Sequence, residues 1–205
     1  MKRAFTFVEL VVVLLILGIL AAILWPVFAR PNHNPAPRSR CQSNLKSIGL
    51  GYMQYVQDYS EKYPRVSFNG KKVFGWADAL QPYIKSVQIF QCPSEESDTA
   101  EKANPRAVGY TDYWMNERLS EFESTKVKNA AKTILMGDGN DGTDATDARY
   151  SIDSIPQAWI GKGESPLYRH VEGSNLAFAD GHVKWVKADK VKSPTKIAEW
   201  AFTLK

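Results

Sequence analysis

Cysteine and histidine are scarce in this chain of 205 residues, which has two of the former and three of the latter. Without a CxxC pair or a histidine-rich segment, the sequence carries no zinc-binding motif. It also lacks a nucleophile elbow, a phosphate-binding loop, a dinucleotide fingerprint and an HExxH motif. The sequence therefore predicts no catalytic residues, and we do not expect an enzyme.

Charge of either sign is neither concentrated nor in large excess. The formal net charge is +4, and basic blocks with interleaved aromatic residues are missing. Nucleic-acid-binding proteins usually present such blocks, so we expect no nucleic-acid partner. Apolar residues make up 44% and charged residues 23% of the chain, which is ordinary for a folded protein.

One long apolar run lies near the N-terminus. Leu10–Phe28 contains 19 consecutive residues without a charged or polar side chain. As a helix this run spans ~30 Å, the thickness of a bilayer core. Lys2 and Arg3 precede it, which keeps that end in the cytoplasm. The sequence thus predicts a single-pass protein of the inner (cytoplasmic) membrane, with its C-terminal domain in the periplasm or at the cell surface.

A cleaved secretory signal is the alternative, and Val27–Ala29 offers a small-residue cleavage site. The apolar run, however, is longer than a signal core of ~7–15 residues. Glu9 also lies at the boundary of the run, where a carboxylate is costly unless it has a partner. Both features favour a helix that stays in the chain.

The segment Lys2–Leu10, with the sequence KRAFTFVEL, resembles the leader junction of type IV prepilins and type II secretion pseudopilins. The resemblance implies that a prepilin peptidase cuts between Ala4 and Phe5 and that the new amine of Phe5 is methylated. Glu9 is then the acid five residues into the mature chain. The family prefers glycine before the cut, and Ala4 is the nearest small residue.

The resemblance also implies assembly through this helix. In a filament, Glu9 of one subunit would meet the Phe5 amine of its neighbour, and each charge would offset the desolvation of the other. Gly18 and Pro26 lie where pilin helices often carry a glycine and a proline, and both weaken a helix locally. The expected partners are further copies of the chain or other pilins.

These patterns divide the chain into four segments. Residues 1–4 are the leader, 5–30 the transmembrane and assembly helix, 31–38 a proline-rich linker and 39–205 an extracytoplasmic globular domain. The linker is predicted to be extended because its prolines, Pro31, Pro35 and Pro37, cannot all lie inside a helix.

Helical periodicity returns between Ser39 and Tyr59, where apolar residues recur at steps of three and four. These residues are Leu45, Ile48, Tyr52, Val56 and Tyr59. Further along, 74–84 is predicted to be a short helix, 87–94 an extended piece and Lys132–Met136 a buried strand. Asp180 and Gly181 lie between two alternating runs, which predicts a two-residue hairpin turn with positive φ at both positions.

His170 is followed, after nine residues, by Asp180 and Gly181. This spacing resembles the C-terminal motif of a large family of pilin-like bacterial proteins. Three further segments match the same family, namely Cys41–Lys46, Ile89–Ser94 and Phe178–Val183. The implied fold is α+β and pilin-like, in which the N-terminal transmembrane helix is followed by a helix packed on an antiparallel β-sheet. The biochemical role of this family is largely unassigned.

The two cysteines follow the apolar run, and two cysteines in an exported domain fit one disulfide. The family resemblance likewise implies a Cys41–Cys92 bridge, which would tie the first soluble helix to the segment around Phe90. His170, Asp180 and His182 invite a metal-binding or acid–base interpretation. A structural one is simpler, since Asp180 belongs to the turn and His170 can hydrogen-bond a backbone group near the hairpin.

The loop from Asp138 to Asp147 is acidic and rich in oxygen ligands, which calcium prefers. Its candidate ligands are Asp138, Asn140, Asp141, Asp144 and Asp147. The loop does not follow the EF-hand pattern, but major pseudopilins hold calcium in a C-terminal loop. The sequence leaves two interpretations open, a calcium site and a solvated connection.

Three functions compete. The first is a structural subunit of a type IV pilus-like or type II secretion pseudopilus filament. The second is a monomeric, membrane-tethered module that binds an extracellular ligand such as a glycan through surface tryptophan and tyrosine residues. The third is an anchored enzyme. The state of the N-terminus separates the first two, because only assembly requires the mature, methylated Phe5.

Overall fold

The computed structural model describes residues 7–28, 35–68, 74–95, 104–142, 146–197, 199–202 and 204. The chain divides into two compact units, one ending at Pro35 and one beginning at Ala36. The first contains helix α1, Phe7–Phe28, which continues through Gly18 and Pro26 and carries Glu9 in its first turn. Within the described part of the chain, no helix is both long and apolar enough to cross a membrane.

Helix α2 spans Pro35–Asp58. The prediction that 31–38 is an extended linker is therefore wrong for the second half of that segment. The physical reason is position, because Pro35 and Pro37 both fall in the first turn of α2. There a residue without an N–H group sacrifices no helical hydrogen bond, and the fixed φ of proline suits the helix. The first half of the linker lies outside the described residues.

One face of α2 is buried, and Leu45, Ile48, Tyr52 and Val56 confirm the predicted stripe. Tyr59 lies beyond the end of the helix and is 55% exposed. The buried side chains that share this core include Trp76, Leu80, Phe90, Tyr113, Met115 and Leu135. Helix α2 therefore packs against the main sheet, described below, and against the segments that lie between α2 and that sheet in the sequence.

Besides several short 3-10 turns, the remaining regular structure among the described residues consists of a short helix, α3 (Trp76–Leu80), and ten strands. The strands are β1 (Ser67–Phe68), β2 (Phe74–Gly75), β3 (Tyr113–Asn116), β4 (Ile134–Asp138), β5 (Ser151–Ile152), β6 (Gly173–Phe178), β7 (Val183–Lys187), β8 (Val191–Ser193), β9 (Lys196–Ile197) and β10 (Trp200–Ala201).

The main sheet has five strands in the order β5-β3-β4-β6-β7. Strand β5 runs parallel to β3, and the other neighbours are antiparallel. Strands β8 to β10 form a small antiparallel sheet, and β1 pairs with β2. The fold is therefore α+β with a helix on an antiparallel-rich sheet, as predicted.

Both faces of the main sheet are covered. Along β3, Tyr113 and Met115 belong to the core that contains α2, whereas Trp114 between them belongs to a second core. Along β6, Leu176 and Phe178 face this second core, which also contains Trp200 and Phe202 near the C-terminus. The alternation follows from the two-residue period of a strand.

Strands β6 and β7 form the predicted hairpin, with Ala177 opposite Val183. Its turn differs from the prediction. The N–H of Gly181 donates to the carbonyl of Phe178 at 2.8 Å, and the N–H of Phe178 donates to the carbonyl of His182 at 3.0 Å. Within this turn only Gly181 has a positive φ, of 83°. The connection is therefore the three-residue type with a left-handed glycine, rather than a two-residue turn.

Two boundaries and the conformation of one segment also differ from the prediction. Helix α3 is shorter than 74–84, because Phe74 and Gly75 belong to β2. Val87–Phe90 forms a 3-10 turn instead of an extended piece. The buried strand begins at Ile134, two residues after Lys132. In each case tertiary packing overrides a weak local preference.

Candidate functional site

The predicted disulfide joins Cys41 on α2 to Cys92, with Cα atoms 5.1 Å apart and a sequence separation of 51 residues. Both cysteines are buried. Cys92 follows the 3-10 turn Val87–Phe90. The bridge therefore ties α2 to the segment that leads towards β3.

Asp112, immediately before β3, connects this segment to the sheet. Its Oδ2 accepts a hydrogen bond from the N–H of Cys92 at 2.8 Å, and its Oδ1 accepts one from the side-chain amide of Asn140 at 2.8 Å. Its backbone N–H donates to the carbonyl of Phe90 at 2.9 Å. Because Asp112 is buried, these bonds offset the cost of removing a carboxylate from water.

The ring of His170 lies against the disulfide. Its Nε2 is 3.5 Å from Cys92 Sγ and 3.4 Å from Asp138 Oδ2. The backbone N–H of Asn175 also donates to Asp138 Oδ2, at 2.5 Å, and holds the carboxylate at the end of β4. The backbone N–H of His170 donates to the carbonyl of Gly173, the first residue of β6, at 2.8 Å, which agrees with the expected bond to a backbone group near the hairpin.

Several buried polar atoms in this region have no hydrogen-bond partner among the described residues. They include Asp138 Oδ1, both side-chain polar atoms of Asn175, Ser174 Oγ and Arg169 Nη1. Asp138 and Asn175 are both completely buried. Buried polar groups are nearly always paired. These atoms beside His170 are therefore exceptions, and each could still form a hydrogen bond.

Arg169 joins the loop after β4 to the chain after Cys92. Its Nε lies 2.6 Å from Glu95 Oε1, and its Nη2 donates to the carbonyl of Asn140 at 2.6 Å. Burial raises the pKa of Glu95, and the guanidinium of Arg169 acts in the opposite direction. Arg169 itself is only 5% exposed in its side chain, so the pair is a largely buried cross-link.

His170 and Asp180, the two ends of the C-terminal motif, have different partners. Asp180 Oδ1 accepts hydrogen bonds from the backbone N–H of His182 at 3.1 Å and lies 2.5 Å from its ring Nδ1. Burial, the largest influence, raises the pKa of Asp180, but the bonds from His182 outweigh it and leave that pKa below its ordinary value. The carbonyl of Gly181 accepts a bond from Lys46 Nζ at 2.8 Å, which fixes the hairpin to α2.

The described candidates for calcium ligands also have separate partners. Asp138 bonds Asn175 as given above, and Asn140 bonds Asp112. Asp141 Oδ2 accepts from Trp159 Nε1 at 2.7 Å. Asp147 forms a 2.6 Å ion pair with Arg149, and Asp144 lies outside the described residues. No three acidic groups of the described part converge on one ion position, and calcium binding stays a prediction.

One group among the described residues does converge. Cys41 Sγ, Cys92 Sγ and a ring nitrogen of His170 all lie within 4.8 Å of one another. With both sulfur atoms in the disulfide, the group stabilises the fold rather than binding a metal as thiolates.

Sequence reasoning missed Asp112, Arg169 and Asn175. Asp112 lies in a segment without a recognisable motif, whereas Arg169 directly precedes the His170 motif and Asn175 lies in the alternating run before Asp180. Each gains its role only when distant parts of the chain meet. The single available signal was the position of Asp112 directly before an aromatic strand.

The N-terminal processing residues Ala4 and Phe5 lie outside the described residues. Residues 1–25 nevertheless match the prokaryotic N-terminal methylation motif. A prepilin-type motif in front of an α+β domain with a helix on an antiparallel-rich sheet defines a pilin-like protein. Residues 35–168 match the family described as "Protein of unknown function (DUF1559)", and the chain belongs to this family. No curated protein and no solved structure matches the chain.

The match to the family ends at residue 168, before His170. The C-terminal motif of His170, Asp180 and Gly181 therefore stays a prediction. The methylation motif indicates a structural protein and membrane anchoring.

Proposed function

We propose that the chain is a structural subunit of a type IV pilus-like or type II secretion pseudopilus filament. A prepilin peptidase processes it between Ala4 and Phe5, and its N-terminal helix then assembles with neighbouring subunits. The observation that carries this proposal is the methylation motif over residues 1–25, which overlaps a helix that is apolar on all sides.

Helix α1 supports the proposal through its surface. Its large apolar side chains are exposed along the described length, from Phe7 at 80% to Leu20 at 50%. A helix that is hydrophobic all round is stable only when other apolar groups cover it. In the proposed function the bilayer of the inner membrane covers α1 first, and neighbouring helices cover it in the filament. The second unit then lies in the periplasm or at the cell surface.

Glu9 is the single charged residue of α1. In the proposed filament its carboxylate meets the Phe5 amine that processing creates on a neighbouring subunit. Two opposite charges attract strongly where water is scarce, and each reduces the cost of burying the other. This pair sets the axial register between subunits.

The test replaces Glu9 with glutamine, which keeps the size of the side chain and removes its charge. In cells that assemble the wild-type chain, Glu9→Gln should leave membrane insertion unchanged and reduce the amount in sheared filaments about tenfold or more, as expected for loss of one strong ion pair. The matched control is Glu117→Gln, because Glu117 is an exposed glutamate of the second unit. Equal incorporation of both variants would contradict the proposed pairing.

The alternative of a glycan-binding module depended on surface tryptophan and tyrosine residues, and of these Tyr59 is 55% exposed and Trp185 is partly exposed. Trp76, Trp114, Trp159 and Trp200 are all buried. A cavity of about 680 Å³ does lie beside Trp159. The Trp159 ring is only 2% exposed, and its Nε1 donates to Asp141. It therefore offers little face for stacking on a sugar, and no observation favours this second function.

A further inference from the structure

The first half of helix α2 carries positive charge without negative charge. Its basic residues are Arg38, Arg40 and Lys46, and the first acidic residue of the helix is Asp58 at its last position. Arg40 and Lys46 are exposed, and Arg38 is partly exposed. All three follow Phe28, the end of the apolar run, by fewer than ~20 residues, the distance over which basic residues interact with a membrane segment.

These cations are not neutralised by the fold. Within the described part of the chain, no carboxylate forms an ion pair with Arg38, Arg40 or Lys46. An unpaired cation attracts an external anion more strongly than a paired one. Other arginines of the second unit do have a carboxylate at 2.6–3.6 Å, namely Arg65, Arg118, Arg149 and Arg169.

A groove of about 460 Å³ lies between α2 and the hairpin of β6 and β7. Lys46 Nζ donates to the carbonyl of Gly181 there, and an ammonium group has two further N–H donors. Asp180, the acid of this hairpin, already accepts bonds from His182. Hydroxyl, amide and ammonium groups can all donate to phosphate oxygens. The groove is lined by Ser39, Gln42, Ser43, Lys46, His182 and Val183.

Trp185 on β7 lies beside these cations. The guanidinium carbon of Arg38 is 5.4 Å from its ring centroid, and its Nε1 donates to the carbonyl of His170 at 2.8 Å. The ring is thus fixed in place and stays partly exposed. Tryptophan is enriched where a bilayer meets water, because its ring is apolar and its N–H is polar. An arginine beside such a ring suits the headgroup region of a membrane.

We propose that Arg38, Arg40, Lys46 and Trp185 form a basic face that docks on anionic phospholipid headgroups of the outer leaflet before the subunit assembles. This inference rests on the proposed function, because α1 must first lie in the membrane. The covalent link to α1 then keeps the headgroups at high effective concentration, so weak contacts suffice. A soluble polyanion such as a nucleic acid lacks this advantage, which favours lipid as the partner of the basic face.

The test places the full-length chain in lipid nanodiscs that hold one copy each, so that a second copy cannot cover the basic face. One set contains phosphatidylcholine, and the other contains phosphatidylcholine mixed with phosphatidylglycerol. Phenylglyoxal modifies the arginines, and mass spectrometry gives the rate at each site. Arg40 should react about fivefold more slowly in the anionic discs, the factor expected for one cation near an anionic surface. Arg106, an exposed arginine, should react equally in both sets.

Salt and one substitution test the electrostatic cause. In ~1 M NaCl, where the Debye length is ~3 Å, the difference between the two sets should vanish. Lys46→Gln should speed the modification of Arg40 in anionic discs by up to about fivefold, since one cation of the basic face is lost. The matched control is Lys128→Gln, because Lys128 is an exposed lysine elsewhere on the second unit, and it should leave the rate unchanged.

The outcomes separate this inference from the proposed function. Equal rates for Arg40 in both sets, or equal effects of Lys46→Gln and Lys128→Gln, would overturn docking while the chain stays in the discs. A chain that does not stay with the discs would overturn membrane anchoring as well. Stronger protection of Arg40 by duplex DNA, added to the zwitterionic discs, would overturn the choice of lipid.

Discussion

The carboxylate of Asp112 holds the backbone N–H of Cys92 at 2.8 Å and, through its other oxygen, the side-chain amide of Asn140 at 2.8 Å. One buried side chain thus connects the disulfide segment, the strand β3 and the loop after β4. The disulfide is therefore not an isolated link, because Asp112 continues the tie from α2 into the sheet.

Asp112→Ala should lower the free energy of unfolding by about 2–4 kcal/mol, because it leaves the buried N–H of Cys92 and the partly buried amide of Asn140 without an acceptor. Chemical denaturation of the oxidised chain measures this loss. Asp153→Ala is the control, since Asp153 has a side chain that is 60% exposed, and it should change stability by less than about 0.5 kcal/mol. Equal stability of the two variants would show that the bonds of Asp112 contribute little.

Loss of the disulfide should lower the free energy of unfolding by about 4 kcal/mol in the chain-entropy model, given the 51-residue separation. Cys41→Ala, Cys92→Ala and the double variant should each lose nearly the same amount, because either change opens the same loop. Denaturant unfolding under metal-free conditions measures all three. Additive losses from the single variants would contradict a shared cross-link.

Gly75→Ala should be severely destabilising. A Cβ atom at this position would lie 2.1 Å from the carbonyl oxygen of Ala148, which is backbone and cannot rotate away. We expect a loss of about 3 kcal/mol, the upper part of the range for overpacking. Gly163→Ala is the control, since a Cβ there meets nothing within 4 Å, and it should change stability by less than about 1 kcal/mol.

Alkaline pH should unfold the domain through its buried tyrosines. Burial raises the pKa of Tyr63 and of Tyr110 to about 12, and raises the pKa of Tyr52 and Tyr113 well above the ordinary value of 10.0. A pKa raised in the folded state means that stability is complete below about pH 10 and is lost as pH rises towards 12. Each such phenol should contribute about 1.4 kcal/mol per pH unit in this window.

Phenolate absorbance and circular dichroism, followed together from pH 9 to 12.5, measure this effect. A fraction of the tyrosines should ionise only as the domain unfolds. Tyr63→Phe should reduce the slope of stability against pH by about one proton, after allowance for its lost hydrogen bond to the carbonyl of Ala179. Full ionisation of every tyrosine with unchanged circular dichroism would contradict the prediction.

Sequence periodicity predicted the parts of the fold in which local pattern and tertiary packing agree. The stripe from Leu45 to Val56 is buried in α2, and the alternating runs around Gly181 form β6 and β7. The start of α2 at Pro35 was missed, because proline disrupts a helix in its interior but not in its first turn. The turn type was missed because hairpin loops of two and three residues share the same Asp-Gly signal.

The candidate site was less predictable than the fold. The disulfide followed from the cysteine count, since two cysteines allow only one pairing. The contact between His170 and Asp138 did not follow, because one residue ends β4 and the other precedes β6. Only the pairing of β4 with β6 brings them together, and strand order is not visible in local periodicity.

The most direct test of the proposed filament function is the mass of the N-terminal peptide of the chain recovered from sheared surface filaments. A filament subunit processed by a prepilin peptidase should begin at Phe5 and carry one extra methyl group on its amine. This result is expected even if Ala4 slows the cut, because only processed subunits should enter the filament. A chain that begins at Met1, or one that is missing from the filament fraction while abundant in the membrane, would contradict the proposed function.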